Sequence, residues 1–192
     1  ADESLTAGVH CWEVEITKMG LFGNINVGVC KADVRPEGGT NRLHDQRGQA
    51  WVMAAWYGAL YPGTTHGAGR VPPGSRLGCK LDLGAGTLHF YKDGVKHGPG
   101  WTGVVGPVKR CVEMGDKGDV ATLVRTAPAF RDSAAAAFAV DVTKFFVPFA
   151  QKGSNVTLSQ GGAVATKSGG GPSYRNAVAA ADESLTAGVH CW

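Results

Sequence analysis

The chain carries one twelve-residue segment twice: ADESLTAGVHCW occupies residues 1–12 and again residues 181–192. A match of this length does not arise by chance in a chain of 192 residues. The offset of 180 residues has the size of a domain, whereas a solenoid repeat spans roughly 20 to 50 residues. The sequence therefore predicts one unit of a tandem array of domains, framed across a domain boundary. A circular permutant built with an overlap is the alternative.

Composition and charge bound the possible partners. Hydrophobic residues make up 43% of the chain and charged residues 18%, with a formal net charge of +3. This charge is too small to predict a nucleic acid or an anionic membrane as partner. Apolar runs stay shorter than the roughly 18 residues that a membrane helix needs. We therefore expect a single globular domain with neither kind of partner.

Short runs rich in valine, threonine and aromatic residues alternate with glycines, of which the chain has 29. This pattern predicts an all-β fold with little helix. Asp93-Gly94 predicts a type I′ hairpin turn, because both central residues of that turn need positive φ. The strands are expected at residues 8–17, 24–31, 50–57, 76–83, 86–92, 104–114 and 119–126.

The first expected strand alternates between two kinds of side chain. Because successive side chains of a β-strand point to opposite faces, His10, Trp12, Val14 and Ile16 are expected on one face. Trp12 is therefore expected to anchor the core.

The cysteines also fall inside such apolar runs and not in CxxC pairs. This favours buried thiols and an intracellular protein, cytoplasmic or cytoskeletal. Those of one unit are Cys11, Cys30, Cys79 and Cys111.

The organisation of the chain follows from its composition shifts. Residues 1–130 hold the later strands of one domain, and the alanine-rich residues 131–139 read as a linker or one short helix. Residues 140–192 resume the strand pattern and would precede residue 13 in natural order. We therefore predict a single domain in a permuted frame, whose ends lie close together.

Three motifs occur in a fixed order. Gly8 is followed by Trp12-Glu13-Val14, an N-V-G-V strand begins at Asn26, and an L-D-x-x-x-G-T-L-x-F-x-x-D-G hairpin runs from Leu81 to Gly94. In these motifs the chain resembles the SPRY (B30.2-like) domain family. The resemblance implies a bent antiparallel β-sandwich, concanavalin-like in architecture. It also implies a non-enzymatic module that binds peptides or protein surfaces with loops at one edge.

The resemblance also implies where a peptide would bind. Tyr61 follows the WYGAL strand, where some members place a tyrosine against the ligand, and Met114-Gly115 falls where they floor the same pocket. Tyr57 is a second aromatic candidate, with packing in the core as its alternative, and Arg70 is expected at the rim or simply solvated. The polar loop of residues 31–49 is either a specificity loop or a solvated connection.

The scattered histidines lack metal-ligand spacing, and the sequence lacks a nucleophile elbow or a phosphate loop. We therefore expect no metal, no cofactor and no catalytic residue. The partners expected are a protein or peptide ligand and neighbouring repeats of the same protein. A scaffold repeat of a filament or cytoskeletal assembly is the main alternative, and a lectin-like sandwich the more remote one. The duplicated segment also predicts head-to-tail self-association by strand exchange.

Overall fold

The structure is a computed structural model. It describes residues 5, 7–21, 25–34, 43, 48–63, 65–66, 68–124, 130, 148–168 and 177–181. The expected linker at 131–139, most of the polar loop at 31–49 and the second copy of the duplicated segment beyond Ala181 lie outside these residues.

The described part of the chain consists of β-strands and turns, without an α-helix. Its strands are β1 (Val9–Lys18), β2 (Ile25–Lys31), β3 (Ala50–Ala54), β4 (Ala59–Tyr61), β5 (Thr65–His66), β6 (Arg76–Asp82), β7 (Thr87–Lys92), β8 (Val95–Lys96), β9 (Trp101–Thr102), β10 (Val108–Met114), β11 (Val120–Leu123), β12 (Phe149–Lys152), β13 (Val156–Ser159), β14 (Val164–Lys167) and β15 (Ala177–Ala181).

These strands form two antiparallel sheets. The eight-stranded sheet has the order β13-β14-β11-β1-β6-β7-β8, with β9 also paired to β7. The seven-stranded sheet has the order β12-β15-β10-β2-β3-β4-β5. The all-β sandwich expected from the sequence is therefore confirmed.

The main core contains one face of each sheet. From β1 it receives Trp12, Val14 and Ile16, in agreement with the predicted alternation, and from β2 it receives Ile25, Val27 and Val29. Each of these side chains is buried. Burying one such aliphatic side chain stabilises the fold by about 1.5 to 3 kcal/mol, so the inner faces of β1 and β2 are a main source of stability.

The predicted hairpins are present. Strands β6, β7 and β8 form a meander, and Asp93 and Gly94 have φ of 50° and 82° as the type I′ turn requires. Two expected strands were wrong in length. Residues 50–57 do not continue as one strand, because the chain turns at residues 55–58 and returns as β4. The strand expected from residue 104 begins only at Val108, directly after Pro107, which has no N–H for a ladder.

Strand β10 has two neighbours. Its one edge pairs with β2, where Val108 lies opposite Lys31 and Met114 opposite Ile25. Its other edge pairs with β15 over Cys111 to Met114 and is extended by a bridge between Leu5 and Val108. Residues from the first and the last parts of the described chain thus lie along one strand edge.

Candidate functional site

Two of the five residues expected to bind a peptide are buried. Met114 points into the main core from the end of β10. Gly115 follows it and is also buried, and its carbonyl oxygen accepts a hydrogen bond from the Lys167 ammonium. The structure therefore places both away from the surface, and their role in binding stays a prediction.

The buried charges around Gly115 form a structural tie between loops. Asp119 accepts hydrogen bonds from the backbone N–H groups of Gly20 over 2.7 Å and of Asp116 over 2.9 Å. Burial raises the pKa of Asp119, although these two hydrogen bonds oppose the shift. Burial likewise lowers the pKa of Lys167, against the attraction of nearby carboxylates. Inside the fold, the charged side chains of Asp119 and Lys167 attract each other, and each forms a hydrogen bond with backbone groups.

Tyr61 lies on the outer face of the seven-stranded sheet. It ends β4 opposite Val52 and packs against a small buried cluster that includes Cys30, Cys111 and Leu43. All four cysteines of the described part are buried, as the sequence predicted. Tyr61 itself is half-buried.

The other two predicted residues belong to neighbouring segments. Tyr57 lies in the turn between β3 and β4, and Arg70 lies in the segment that precedes β6. The N–H of Val71 donates to the carbonyl oxygen of Ala55 over 2.7 Å. At Gly58, where φ is +63°, an added Cβ would come 2.1 Å from the carbonyl oxygen of Ala68. The two segments are therefore in direct backbone contact.

At this junction the Arg70 guanidinium lies over the indole ring of Trp56, with 3.5 Å between the Arg70 Cζ and the ring centroid. Tyr57, the next residue, is 54% exposed and Arg70 is exposed as well. We call Trp56, Tyr57 and Arg70 together the Arg70 surface. It presents the exposed ring of Tyr57 and the positive charge of Arg70 to solvent, and the half-buried indole of Trp56 lies beneath the guanidinium.

The backbone beneath the Arg70 surface is held from two sides. The Lys92 ammonium donates to the carbonyl oxygen of Arg70 over 3.1 Å, and His97 Nε2 donates to the carbonyl oxygen of Gly69 over 2.7 Å. Both donors come from the β7–β8 hairpin region of the other sheet. The loop that carries Arg70 is therefore positioned before any ligand arrives.

The sequence did not single out Trp56 as a binding residue. The structure shows Trp56 half-buried and Tyr57 exposed. The signal that sequence reasoning lacked is the pairing of Trp56 with Arg70, residues 14 positions apart that only the fold brings together.

A buried aromatic stack involves Phe130, which lies on the outer face of the eight-stranded sheet. Its ring stacks on Tyr91 with 4.2 Å between ring centroids and an interplanar angle of 5°. Cys11 belongs to the same buried cluster. The segment beyond β11 therefore covers this face at least at Phe130, and the stacked rings are not available to a ligand.

Among the residues that the structure describes, no group of three or more histidine, cysteine, aspartate or glutamate side chains could hold a metal ion. The described residues likewise include no helix long and apolar enough to cross a membrane.

Comparison with known proteins identifies the family of this chain. The model of the SPRY domain family matches residues 9–112, more than half of the chain. The chain belongs to the SPRY domain family, whose members are generally non-enzymatic protein–protein interaction modules. Among solved structures, the chain is similar to the SPRY domain of human HERC1, with 16% identity and a TM-score of 0.48. That match covers 97% of this chain and 82% of the other.

Proposed function

We propose that this chain binds an acidic segment of a partner protein through the Arg70 surface. The observation that carries the proposal is the stack of the Arg70 guanidinium on Trp56 at 3.5 Å, beside the exposed ring of Tyr57. Membership of a family of interaction modules supports binding as the general activity. The geometry at Arg70 supports a carboxylate as the group that is recognised.

Stacking leaves the edge of a guanidinium free. An arginine whose flat face rests on an indole ring still presents its N–H groups in the ring plane, where they match the two oxygens of a carboxylate. Because stacking already orders the Arg70 side chain, less rotamer freedom is lost on binding. Arg70 is therefore suited to a carboxylate of aspartate or glutamate.

Tyr57 supplies the apolar part of the contact. Tyrosine, tryptophan and arginine are the residues enriched at binding hot spots, and a tyrosine loses little conformational freedom when its ring is covered. The turn that carries Tyr57 is held by the N–H of Gly58, which donates a hydrogen bond to the carbonyl oxygen of Ala54 over 2.8 Å. We therefore expect an apolar or aromatic residue of the partner next to its carboxylate.

Peptide display tests this proposal. Random twelve-residue peptides would be selected on the parent chain, and the dissociation constants of the selected peptides would be measured on Tyr57→Ala, Arg70→Ala and the control Lys96→Ala, which changes another exposed cation. We expect selected peptides to contain aspartate or glutamate. Their affinity should fall about tenfold or more for the first two variants, which corresponds to about 1.4 kcal/mol each. Unchanged affinity for both variants would place the site elsewhere.

We also propose that the unit recurs in a tandem array. The support is the sequence ADESLTAGVHCW at both 1–12 and 181–192, which two consecutive copies of a 180-residue unit would share. Repeated identical surfaces bind a repetitive or clustered partner with avidity, without high affinity at one site. The same regular spacing would suit a scaffold along a filament. Reading the coding sequence on both sides tests the array, since adjoining copies of the unit are expected and unrelated sequence on both sides would refute it.

A further inference from the structure

Leu5 occupies a well-defined position on strand β10, which we call the Leu5 site. Its N–H donates to the carbonyl oxygen of Val108 over 2.6 Å, and its carbonyl oxygen accepts from the N–H of Val108 over 3.0 Å. The Leu5 side chain is 2% exposed and belongs to the main core. The site therefore binds a leucine by both its backbone and its side chain.

Strand β15 approaches the same site from the other direction. Since β2 already pairs with Val108 through Lys31, Leu5 must lie on the opposite edge of β10, which is the edge that β15 occupies. Ala180 of β15 lies opposite Cys111. Only three positions of β10, a distance of about 10 Å, separate Cys111 from Val108.

The duplicated segment provides two leucines for this one site. Leu5 comes four residues before Val9, where β1 begins, and Leu185 comes four residues after Ala181, where β15 ends. A connection of four residues reaches up to about 13 Å when extended. Either leucine can therefore reach the Leu5 site from the strand to which it is joined.

We propose that the Leu5 site accepts Leu185 of the same chain in place of Leu5, so that two identical segments exchange on one strand edge. The exchange needs no break in β1. Residues Val9 to Glu15 are paired with β6 and continue into the rest of β1, so they stay in place. When Leu5 leaves the site, the chain would move away from it between Leu5 and Val9, where Ala7 is exposed and Gly8 has φ of 91°.

The identity of the two segments makes the two arrangements close in free energy, because the same side chain makes the same contacts in the site. The tether makes the occupant a segment of the same chain. Leu185 is held within a few residues of its own β10, and a tethered segment has an effective concentration in the millimolar range. A neighbouring molecule at lower concentration cannot compete with it.

Matched substitutions in the full chain test the exchange. Leu5→Asp and Leu185→Asp are made singly and together, and the folding equilibrium constant is measured by urea unfolding. Each single variant should lower the constant by a factor of about two, since one of two equivalent arrangements is lost. The double variant should lower it by a factor of about 30 or more, because the site then lacks a leucine and must face a carboxylate. A single variant as damaged as the double one, or a double variant like the parent, would overturn the proposal.

Two further measurements locate the occupant. Hydrogen exchange at the Val108 amide should stay slow in both single variants and become fast in the double variant, because that amide donates within the site. Light scattering of Leu5→Asp over a concentration series should give the mass of one chain. A mass that grows with concentration would show that the leucine comes from a second molecule, head to tail, and would contradict exchange within the chain.

Discussion

The side chain of Asn26 donates a hydrogen bond to the carboxylate of Glu113 over 2.7 Å, and both groups are buried on the outer face of the seven-stranded sheet. The second carboxylate oxygen of Glu113 accepts the backbone N–H of Leu43 over 2.8 Å. Glu113 thus joins β2 and β10 to a residue of the loop that precedes β3. This contact fixes Leu43 over the cluster that contains Cys30 and Cys111.

The substitution Glu113→Gln should lower the free energy of unfolding by about 1 to 3 kcal/mol, because an amide has one acceptor oxygen and its NH₂ group would then face one of the two donors. Urea unfolding of the variant and of the control Glu15→Gln, a less buried glutamate on β1, gives the comparison. Equal losses in the two variants would show that the hydrogen bonds of Glu113 do not stabilise the fold.

The sequence predicted the regular parts of this fold well. Alternation along β1 placed Trp12 in the core, and Asp93-Gly94 identified the β7–β8 turn, because both signals are local. The contact of Glu113 with Asn26 is not local. These residues lie 87 positions apart, and an isolated Glu in a strand pattern gives no indication that it is buried.

Phe130 and Gly78 offer a test of the outer face of the eight-stranded sheet. An added Cβ at Gly78 would come 2.3 Å from Phe130 Cε1, so Gly78→Ala should cost about 1 to 3 kcal/mol by overpacking. Phe130→Ala should cost about 3 kcal/mol by removing the stack on Tyr91. Both losses are measured by thermal or urea unfolding.

The double variant distinguishes contact from two separate effects. With Phe130 removed, the methyl group of Ala at position 78 has room, so the two losses should fall short of their sum by about 1 to 3 kcal/mol. Losses that simply add would mean that Phe130 does not rest on Gly78 in solution.

The buried carboxyl of Asp119 predicts a dependence of stability on pH. Burial raises the pKa of Asp119 in the folded chain above the ordinary value of 3.8. Between pH 3.8 and the raised pKa, the folded chain therefore keeps a proton on Asp119 that the unfolded chain has released. The contribution of Asp119 is therefore fully present below pH 3.8 and is lost as pH rises through the raised pKa. Asp119→Asn should flatten this fall in the free energy of unfolding.

The measurement is urea unfolding at a series of pH values from 3.8 to neutrality. The matched control is Asp33→Asn, which makes the same substitution at an exposed carboxyl. If Asp119→Asn retained the parent's slope, Asp119 would not be the group that titrates.

The candidate site could be predicted only in part. Tyr61 and Met114-Gly115 were chosen from their positions in a family pattern, and Tyr57 and Arg70 were added as candidates beside them. The structure leaves Tyr57 and Arg70 exposed. Met114 continues the inward alternation of Val108 and Val112 on β10, so its burial follows from the strand register. The stack of Arg70 on Trp56 depends on how the 55–58 turn meets the segment before β6, which local pattern does not specify.

Tyr57 should matter for binding and not for folding. Because its side chain is 54% exposed, Tyr57→Ala should change the free energy of unfolding by no more than about 0.5 kcal/mol. Thermal unfolding of this variant beside Tyr61→Ala provides the contrast, since Tyr61 packs against a buried cluster and should cost more. A large loss for Tyr57→Ala would assign its ring to the fold.

The proposed recognition of a carboxylate depends most on the stacked guanidinium of Arg70, and the substitution Arg70→Lys tests it directly. Lysine keeps the positive charge but has neither the flat face that rests on Trp56 nor the paired N–H groups. Titration calorimetry with a selected acidic peptide should show an affinity about tenfold lower for Arg70→Lys than for the parent. An affinity equal to that of the parent would mean that charge alone suffices, and would contradict recognition of a carboxylate by the stacked arginine.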